Sequence, residues 1–265
     1  MEDTLVLIDS EDRNAAQNAN DFSLNNPGYI SLTDIKSLAM TNFRVDWVAP
    51  NINDYNNRFT FEDEFGGPYV VVLDNGWYDY EGLAAEIESK MRAASGNVNI
   101  IVVVNSGATT SPYFVPFTGF RFVVSNPVPG GLLKFSNVRR ESTFCYGVKN
   151  TTVFAQTVVF DQANLRYTDY IDVEGGQLLQ YSRSDESSDL LSNNLLNRIY
   201  LAGGGEGATT DIYSFEKEYQ TPKWIKFEKS ASLGDFQIRL KDQFGNLVYV
   251  GQNNDLKFAM TLIAY

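Results

Sequence analysis

The fold class is decided by the C-terminal stretch DLKFAMTLIA, residues 255–264. Its alternate positions are apolar, at Leu256, Phe258, Met260, Leu262 and Ala264. Polar residues fall between them, at Asp255, Lys257 and Thr261. Because successive side chains of a strand point to opposite faces, this period of two predicts a half-buried antiparallel strand.

The same alternation recurs along the chain. Further alternating apolar positions are Phe43, Val45 and Trp47, then Phe59 and Phe61, then Phe236, Ile238 and Leu240. Residues 100–104 form a continuous β-branched run, which is typical of a strand covered on both sides. Antiparallel strands are therefore predicted in the N-terminal, middle and C-terminal parts of the chain.

Turn signals separate these runs. They include Asn75-Gly76, Pro129-Gly130-Gly131 and the glycine-rich residues 203–207. Gly245-Asn246 predicts a tight hairpin between two strands. Short strands with turns at this frequency predict an all-β fold, an antiparallel sandwich or jelly roll, rather than an α/β fold.

One amphipathic helix interrupts the strand pattern. Leu83, Ile87 and Met91 recur every four residues, which places them on one face of a helix. Asp79 is suited to cap its N-terminus and Gly96 to end it. A second, shorter helical turn is predicted over residues 189–198, and the polar, unpatterned residues 11–20 predict a loop or an arm.

Composition and charge argue against several classes of function. The 265 residues carry a formal net charge of −12, and an acidic surface repels phosphate, so a role in coating nucleic acid is not expected. The N-terminus does not resemble a signal peptide and no apolar run reaches the length of a membrane span, so synthesis in a cytoplasm is expected. The single cysteine, Cys145, is expected to be a buried thiol, because the chain has no histidine to activate it.

Several stretches, in this order along nearly the whole chain, resemble the penton proteins of double jelly-roll DNA viruses of the virophage and Polinton-like group. They are Ile8-Asp9-Ser10-Glu11-Asp12-Arg13 followed by Asn20-Asp21-Phe22, residues 45–52 ending in Ala49-Pro50-Asn51-Ile52, residues 56–61, residues 72–78 leading into the helix, and a closing hairpin built from residues 236–242, Gly245 and residues 255–263. The N-terminal signature is the most specific of these matches.

The resemblance implies a single jelly-roll β-sandwich with an N-terminal strand and arm at residues 1–35 and a capsid domain at residues 36–265. It further implies a virion protein that forms homopentamers at the fivefold vertices, where it contacts double jelly-roll trimers of the major capsid protein. No catalytic residue, cofactor, metal, direct nucleic-acid contact or membrane span is expected.

The polar arm holds the candidate site residues Asp9, Asp12 and Arg13. One interpretation is a local ion-pair network, which contributes little when exposed. The other is that these three residues dock the arm on a neighbouring capsomer.

Two other function classes stay open. Aromatic residues make up 14% of the chain, so a carbohydrate-binding or host-attachment sandwich is the first alternative. Among the tryptophans, Trp47 is expected in the core, whereas Trp77 and Trp224 are candidates for an interface. A β-sandwich glycoside hydrolase or lyase is the second alternative, because carboxylates cluster at Asp9 with Asp12 and within residues 185–189. A calcium site is a further interpretation of residues 185–189, although they lack the ligand spacing of an EF-hand loop. Residues 203–207 are expected to form a surface loop, because the lysine of a phosphate-binding loop is missing after them.

Overall fold

The structure is a computed structural model, and it describes residues 4–24, 32–47, 49–105, 119–165, 168–176, 195–201, 213–233, 236–251 and 255–265. The predicted acidic cluster at residues 185–189 and the glycine-rich residues 203–207 lie outside these ranges. The described residues form fifteen strands and two α-helices. The strands are β1 (Thr4–Asp9), β2 (Asp21–Leu24), β3 (Leu32–Trp47), β4 (Arg58–Asp63), β5 (Gly66–Val72), β6 (Ile101–Asn105), β7 (Arg121–Ser125), β8 (Leu133–Ser136), β9 (Thr157–Val159), β10 (Tyr170–Gly175), β11 (Leu195–Tyr200), β12 (Tyr213–Glu218), β13 (Trp224–Leu233), β14 (Phe236–Lys241) and β15 (Lys257–Ala264). The helices are α1 (Tyr80–Ser95) and α2 (Arg140–Tyr146).

The chain forms two compact units. The first is built from the described parts of Met1–Ala49, Thr168–Ala202 and Asp211–Tyr265, and the second from those of Pro50–Tyr167. The strand pairs in both units are antiparallel, which confirms the predicted all-β, jelly-roll-like sandwich class. The predicted boundary between residues 35 and 36 lies within β3, and the division into an arm and a capsid domain stays a prediction.

The first unit contains two sheets. One has the strand order β1-β15-β3-β12, with β13 also paired to β3, and the other has the order β11-β10-β14-β2. Phe258 of β15 lies 5.7 Å, between ring centroids, from Phe22 of the second sheet and the same distance from Phe43 of its own sheet. The apolar face predicted for residues 256–264 is therefore core, as its alternating burial confirms.

The second unit has sheets with the orders β5-β4-β8 and β6-β7-β9. Its core is rich in aromatic rings, which are fully buried at Phe59, Phe61, Phe122, Phe135, Tyr146 and Phe160. Phe135 meets Phe160 edge to face with centroids 5.2 Å apart, a favoured geometry for aromatic pairs.

Helix α1 matches the sequence prediction at both ends. The Asp79 carboxylate accepts a hydrogen bond of 2.7 Å from the Gly82 N–H, and Gly96 ends the helix in the left-handed region at φ 74°. The predicted apolar face is buried at Leu83, Ile87 and Met91.

Two expectations are corrected, and one helix is additional to them. The helical turn predicted over residues 189–198 is wrong in its described part, because residues 195–198 belong to β11, which pairs with β10. Helix α2 was not predicted. The closing hairpin is also wrong as a pair of strands: β14 pairs with β10 and β2, whereas β15 pairs with β1 and β3 in the other sheet.

The turn within that hairpin is nevertheless present. Asp242 Oδ1 accepts hydrogen bonds of 2.9 Å from the N–H groups of Phe244 and Asn246, and Gly245 takes φ 83°. A single bridge between Lys241 and Leu247 follows, so the chain reverses at the predicted glycine without forming a long second strand there.

Candidate assembly surface

Strand β1 forms an edge of its sheet, because among the described strands it pairs with β15 alone. Val6 and Ile8 are buried, whereas Leu5 and Leu7 on the opposite face are 68% and 72% exposed. An edge strand offers unpaired backbone N–H and C=O groups, and exposed leucines beside them make this edge suited to protein–protein contact.

An apolar row extends from this edge across the outer face of the sheet. Leu5 pairs with Ile263 of β15, Ile263 pairs with Ala39 of β3, and Ala39 pairs with Trp224 of β13. Directly opposed residues of neighbouring strands lie side by side on one face. Trp224 is 40% exposed, so the row carries a large exposed side chain at each end, whereas Ala39 between them is buried.

The predicted arm residues follow β1 without a break. Asp9 caps a short 3-10 helix, Ser10–Asp12, by accepting a hydrogen bond of 2.8 Å from the Glu11 N–H. The Arg13 guanidinium donates to the backbone carbonyls of Ser10 and Gln17, which fixes the path of the chain after the 3-10 helix. Asp9 and Arg13 thus both contact backbone groups of their own loop.

An ion pair joins this loop to the sheet. Glu11 Oε1 lies 2.6 Å from Lys257 Nζ, the first residue of β15. The hydrogen bond and the charge of Lys257 lower the pKa of Glu11, and the same contacts with Glu11 raise the pKa of Lys257. Both side chains are exposed, so solvent and salt screen the pair and its contribution to stability is small.

Asp12 differs from its neighbours. Its side chain is exposed and makes no hydrogen bond or ion pair within the part of the chain that the structure describes. Of the three predicted docking residues, it is therefore the one whose side chain is free to meet a partner.

We name Leu5, Leu7, Asp12 and Trp224 the assembly surface. Asp12 was predicted as a docking residue and Trp224 as an interface candidate, whereas the two leucines were missed. Residues 5–8 are uniformly apolar, so the sequence shows no alternation that could separate buried from exposed positions.

The structure also shows where the predicted tryptophans and the cysteine lie. Trp47 is buried and Trp77 is half-buried. Cys145 is fully buried, its Sγ lies 3.4 Å from the Asn51 carbonyl oxygen, and burial raises the pKa of its thiol.

Within the described ranges, no group of three or more His, Cys, Asp or Glu residues is arranged to hold a metal ion. None of the described helices is long and apolar enough to cross a membrane.

Comparisons with known proteins find similarity in structure alone. No family model and no curated protein matches the chain. The fold is similar to a crystal structure of the selenomethionine-labelled penton protein of mavirus, with a TM-score of 0.47 and 10% sequence identity, over 100% of this chain and 99% of that chain. This is a distant structural relationship.

Proposed function

We propose that this chain is a structural capsid protein of an icosahedral double-stranded DNA virus, a penton that forms homopentamers at the fivefold vertices. In the virion it contacts the major capsid protein, and it has no catalytic role. Two observations support this function. The stretches that resemble penton proteins follow one another in the same order from residue 8 to residue 263, and the fold is jelly-roll-like. The observation that carries it is the assembly surface, an edge strand with exposed leucines followed directly by a polar arm.

Exposure of the β1 edge to water is unfavourable in free energy. Leu5 and Leu7 expose most of their area, and burying a leucine side chain contributes about 1.5–3 kcal/mol relative to exposure. An unpaired edge with such residues promotes uncontrolled association unless a specific partner covers it. A closed ring of subunits is one such partner, because each copy can cover a patch of its neighbour.

Ring closure sets a further condition. A cyclic ring uses heterologous contacts, in which two different patches of each subunit meet. Net charge opposes the ring, since each copy has a formal charge of −12. Salt at about 0.15 M screens charges beyond about 8 Å, so rings should form better at moderate than at very low salt.

The decisive experiment is cryo-electron microscopy of capsids that contain this protein, with its oligomeric mass measured in parallel. Density for the chain at the fivefold vertices is the expected result. Density at any other position of the capsid lattice overturns the proposal.

A carbohydrate-binding or host-attachment protein is the second candidate, favoured by exposed aromatic side chains. Trp224 is 40% exposed and Tyr200 is 64% exposed, and sugars stack on such rings. Binding of the isolated protein to a glycan array, lost in Trp224→Ala or Tyr200→Ala, would favour this alternative over a purely structural role.

A further inference from the structure

The outer face of the sheet β11-β10-β14-β2 carries aromatic and charged side chains. On its inner face, Ile171, Val173, Ile199 and Leu240 are buried. Side chains of a strand alternate between the two faces, so the residues next to these four lie together on the outer face. They are Tyr170, Asp172 and Glu174 of β10, Arg198 and Tyr200 of β11, and Arg239 and Lys241 of β14.

Two adjacent rows of this face form one continuous patch. Tyr170 is the cross-strand partner of Tyr200, and Asp172 is the partner of Arg198 on one side and of Lys241 on the other. The two rows are two residues apart along β10, a distance of about 7 Å, so one small ligand can contact both. We name these five residues the tyrosine site. None of them belongs to the assembly surface.

Neighbouring side chains hold the tyrosine site in a fixed arrangement. The Arg198 guanidinium donates to both oxygens of Asp172, with Nε 2.7 Å from Oδ1 and Nη2 2.8 Å from Oδ2. Its Cζ lies 4.0 Å from the centroid of the Tyr170 ring, which is within cation–π distance. The rings of Tyr170 and Tyr200 meet edge to face with centroids 5.7 Å apart. Side chains that are already ordered lose little entropy when a ligand binds.

The tyrosine site also offers an open ring and unused hydrogen-bonding capacity. Tyr200 is 64% exposed. Each oxygen of Asp172 accepts one N–H from Arg198 and has a second lone pair. Lys241 Nζ lies 2.8 Å from Glu174 Oε2 and carries three N–H donors, and the side chains of Asp172 and Lys241 are both partly exposed. An exposed aromatic ring therefore lies beside an acceptor and a donor.

The charges of this outer face cancel in pairs. Among the described residues, the pairs are Arg198 with Asp172, Lys241 with Glu174, and Arg239 with Asp21 of β2, the last at 3.4 Å between Nε and Oδ1. A charged ligand would find no uncompensated partner here, and an anionic one would also be repelled by the net charge of −12. The face is therefore best suited to a neutral ligand.

The face differs from the assembly surface in its apolar content. Within the part of the chain that the structure describes, the large exposed apolar side chains include Tyr200 but no aliphatic residue of β2, β10, β11 or β14. The buried centre of a protein interface is apolar, as the exposed Leu5 and Leu7 of the assembly surface would provide. A single open ring among hydrogen-bonding groups instead suits a ligand that combines C–H faces with hydroxyl groups, which is the chemistry of a sugar.

We propose that the tyrosine site binds a neutral hexose unit of a glycan. The C–H face of the sugar ring stacks on Tyr200, while sugar hydroxyl groups donate to Asp172 and accept from Lys241. The site serves attachment rather than assembly. It therefore goes beyond the proposed capsid role, and its test is separate from the test of that role.

The test uses the full chain on a glycan array that carries oligosaccharides ending in mannose, glucose or galactose, together with sialylated and sulfated counterparts. The free form of the best-bound oligosaccharide is then titrated into the protein by calorimetry. We expect saturable binding of neutral glycans only. Binding of anionic glycans alone, or no saturable binding up to about 10 mM of free sugar, which is weaker than −4 kcal/mol of binding free energy, overturns the proposal.

Three variants locate the sugar. Tyr200→Ala removes the exposed ring and should weaken binding about tenfold or more, whereas Tyr200→Phe keeps the ring and should bind within about threefold of the natural chain. Tyr265→Ala is the matched control, because Tyr265 is also exposed, at 47%, but lies outside the tyrosine site, and it should bind normally. Circular dichroism of each variant checks that the chain is folded.

Two results with these variants contradict the site. Unchanged glycan binding in Tyr200→Ala, or an equal loss in Tyr265→Ala, would place the sugar elsewhere and overturn the proposal. Tyr200→Ala should also enter capsids normally. Loss of incorporation without any glycan binding by the natural chain would assign this face to a protein partner and overturn the proposal as well.

Discussion

Val6 of β1 and Leu262 of β15 are direct cross-strand partners, and both side chains are buried in the core of the first unit. The adjacent pair, Leu5 with Ile263, lies on the opposite face of the same two strands. One pair of strands therefore supplies core residues on its inner face and assembly-surface residues on its outer face. Substitutions one residue apart can separate stability from assembly.

Leu262→Ala should lower the free energy of unfolding by about 2–5 kcal/mol, because it removes a buried leucine and leaves a cavity. Leu7→Ala is the matched control, since the same atoms are removed from a side chain that is 72% exposed, and it should change stability by less than about 0.5 kcal/mol. Denaturant unfolding of both variants measures the difference. Equal effects of the two substitutions would contradict the assignment of the inner and outer faces.

Stability should fall above about pH 8.5 because of Cys145. Burial raises the pKa of its thiol, so the folded chain keeps the thiol neutral where the unfolded chain ionises it. A group with a raised folded pKa contributes stability that is complete below its unfolded pKa and is lost as the pH rises, here by about 1.4 kcal/mol per pH unit. Denaturant unfolding between about pH 7 and 9.5 should show this slope in the natural chain and a flatter one in Cys145→Ala. Equal slopes of the unfolding free energy against pH in the two chains would contradict the assignment of this effect to Cys145.

The two helix-ending glycines should respond differently to alanine. Gly96 and Gly147 have nearly the same left-handed backbone, at φ 74° and 76°. A Cβ at Gly96 meets nothing within 4 Å, whereas one at Gly147 would lie 2.0 Å from the Asp161 carbonyl oxygen. Gly96→Ala should therefore cost only the conformational strain of about 1–2 kcal/mol, and Gly147→Ala should cost far more or prevent folding. Similar losses of Tm in both variants would contradict this geometry.

The sequence predicted the elements whose signals are local. In residues 256–264 every second residue is apolar, beginning with Leu256. Helix α1 has both a capping Asp79 and a terminating Gly96. The limits of both elements were therefore predicted to within about one residue. Helix α2 lacks such signals: it has seven residues, and Arg139 at its N-cap position makes no side-chain capping bond. In β11, Leu195 and Ile199 have helical spacing, but pairing with β10 determines the conformation of this short run.

Sequence analysis predicted the polar arm residues as docking residues and Trp224 as an interface candidate, but it missed the exposed leucines of β1. Asp9, Asp12 and Arg13 were selected because they are polar residues in an unpatterned arm. Leu5 and Leu7 were missed because exposure depends on which face of β1 meets the second sheet.

Two residues of the arm, Asp12 and Arg13, should affect stability and capsid assembly differently. The Asp12 side chain makes no hydrogen bond or ion pair within the described residues. Asp12→Ala should therefore leave Tm unchanged, and it should lower incorporation into capsids if Asp12 docks on a neighbouring capsomer. Arg13 donates to the carbonyls of Ser10 and Gln17, so Arg13→Ala should disorder its own loop and lower both Tm and incorporation. Quantifying the protein in purified capsids, beside circular dichroism of the isolated chain, distinguishes the two effects. Normal incorporation of Asp12→Ala would remove Asp12 from the assembly surface. A double variant, Leu5→Ser with Leu7→Ser, tests the whole surface, because these two leucines are the exposed apolar residues of β1. Normal incorporation of that double variant would contradict a role of the surface in assembly.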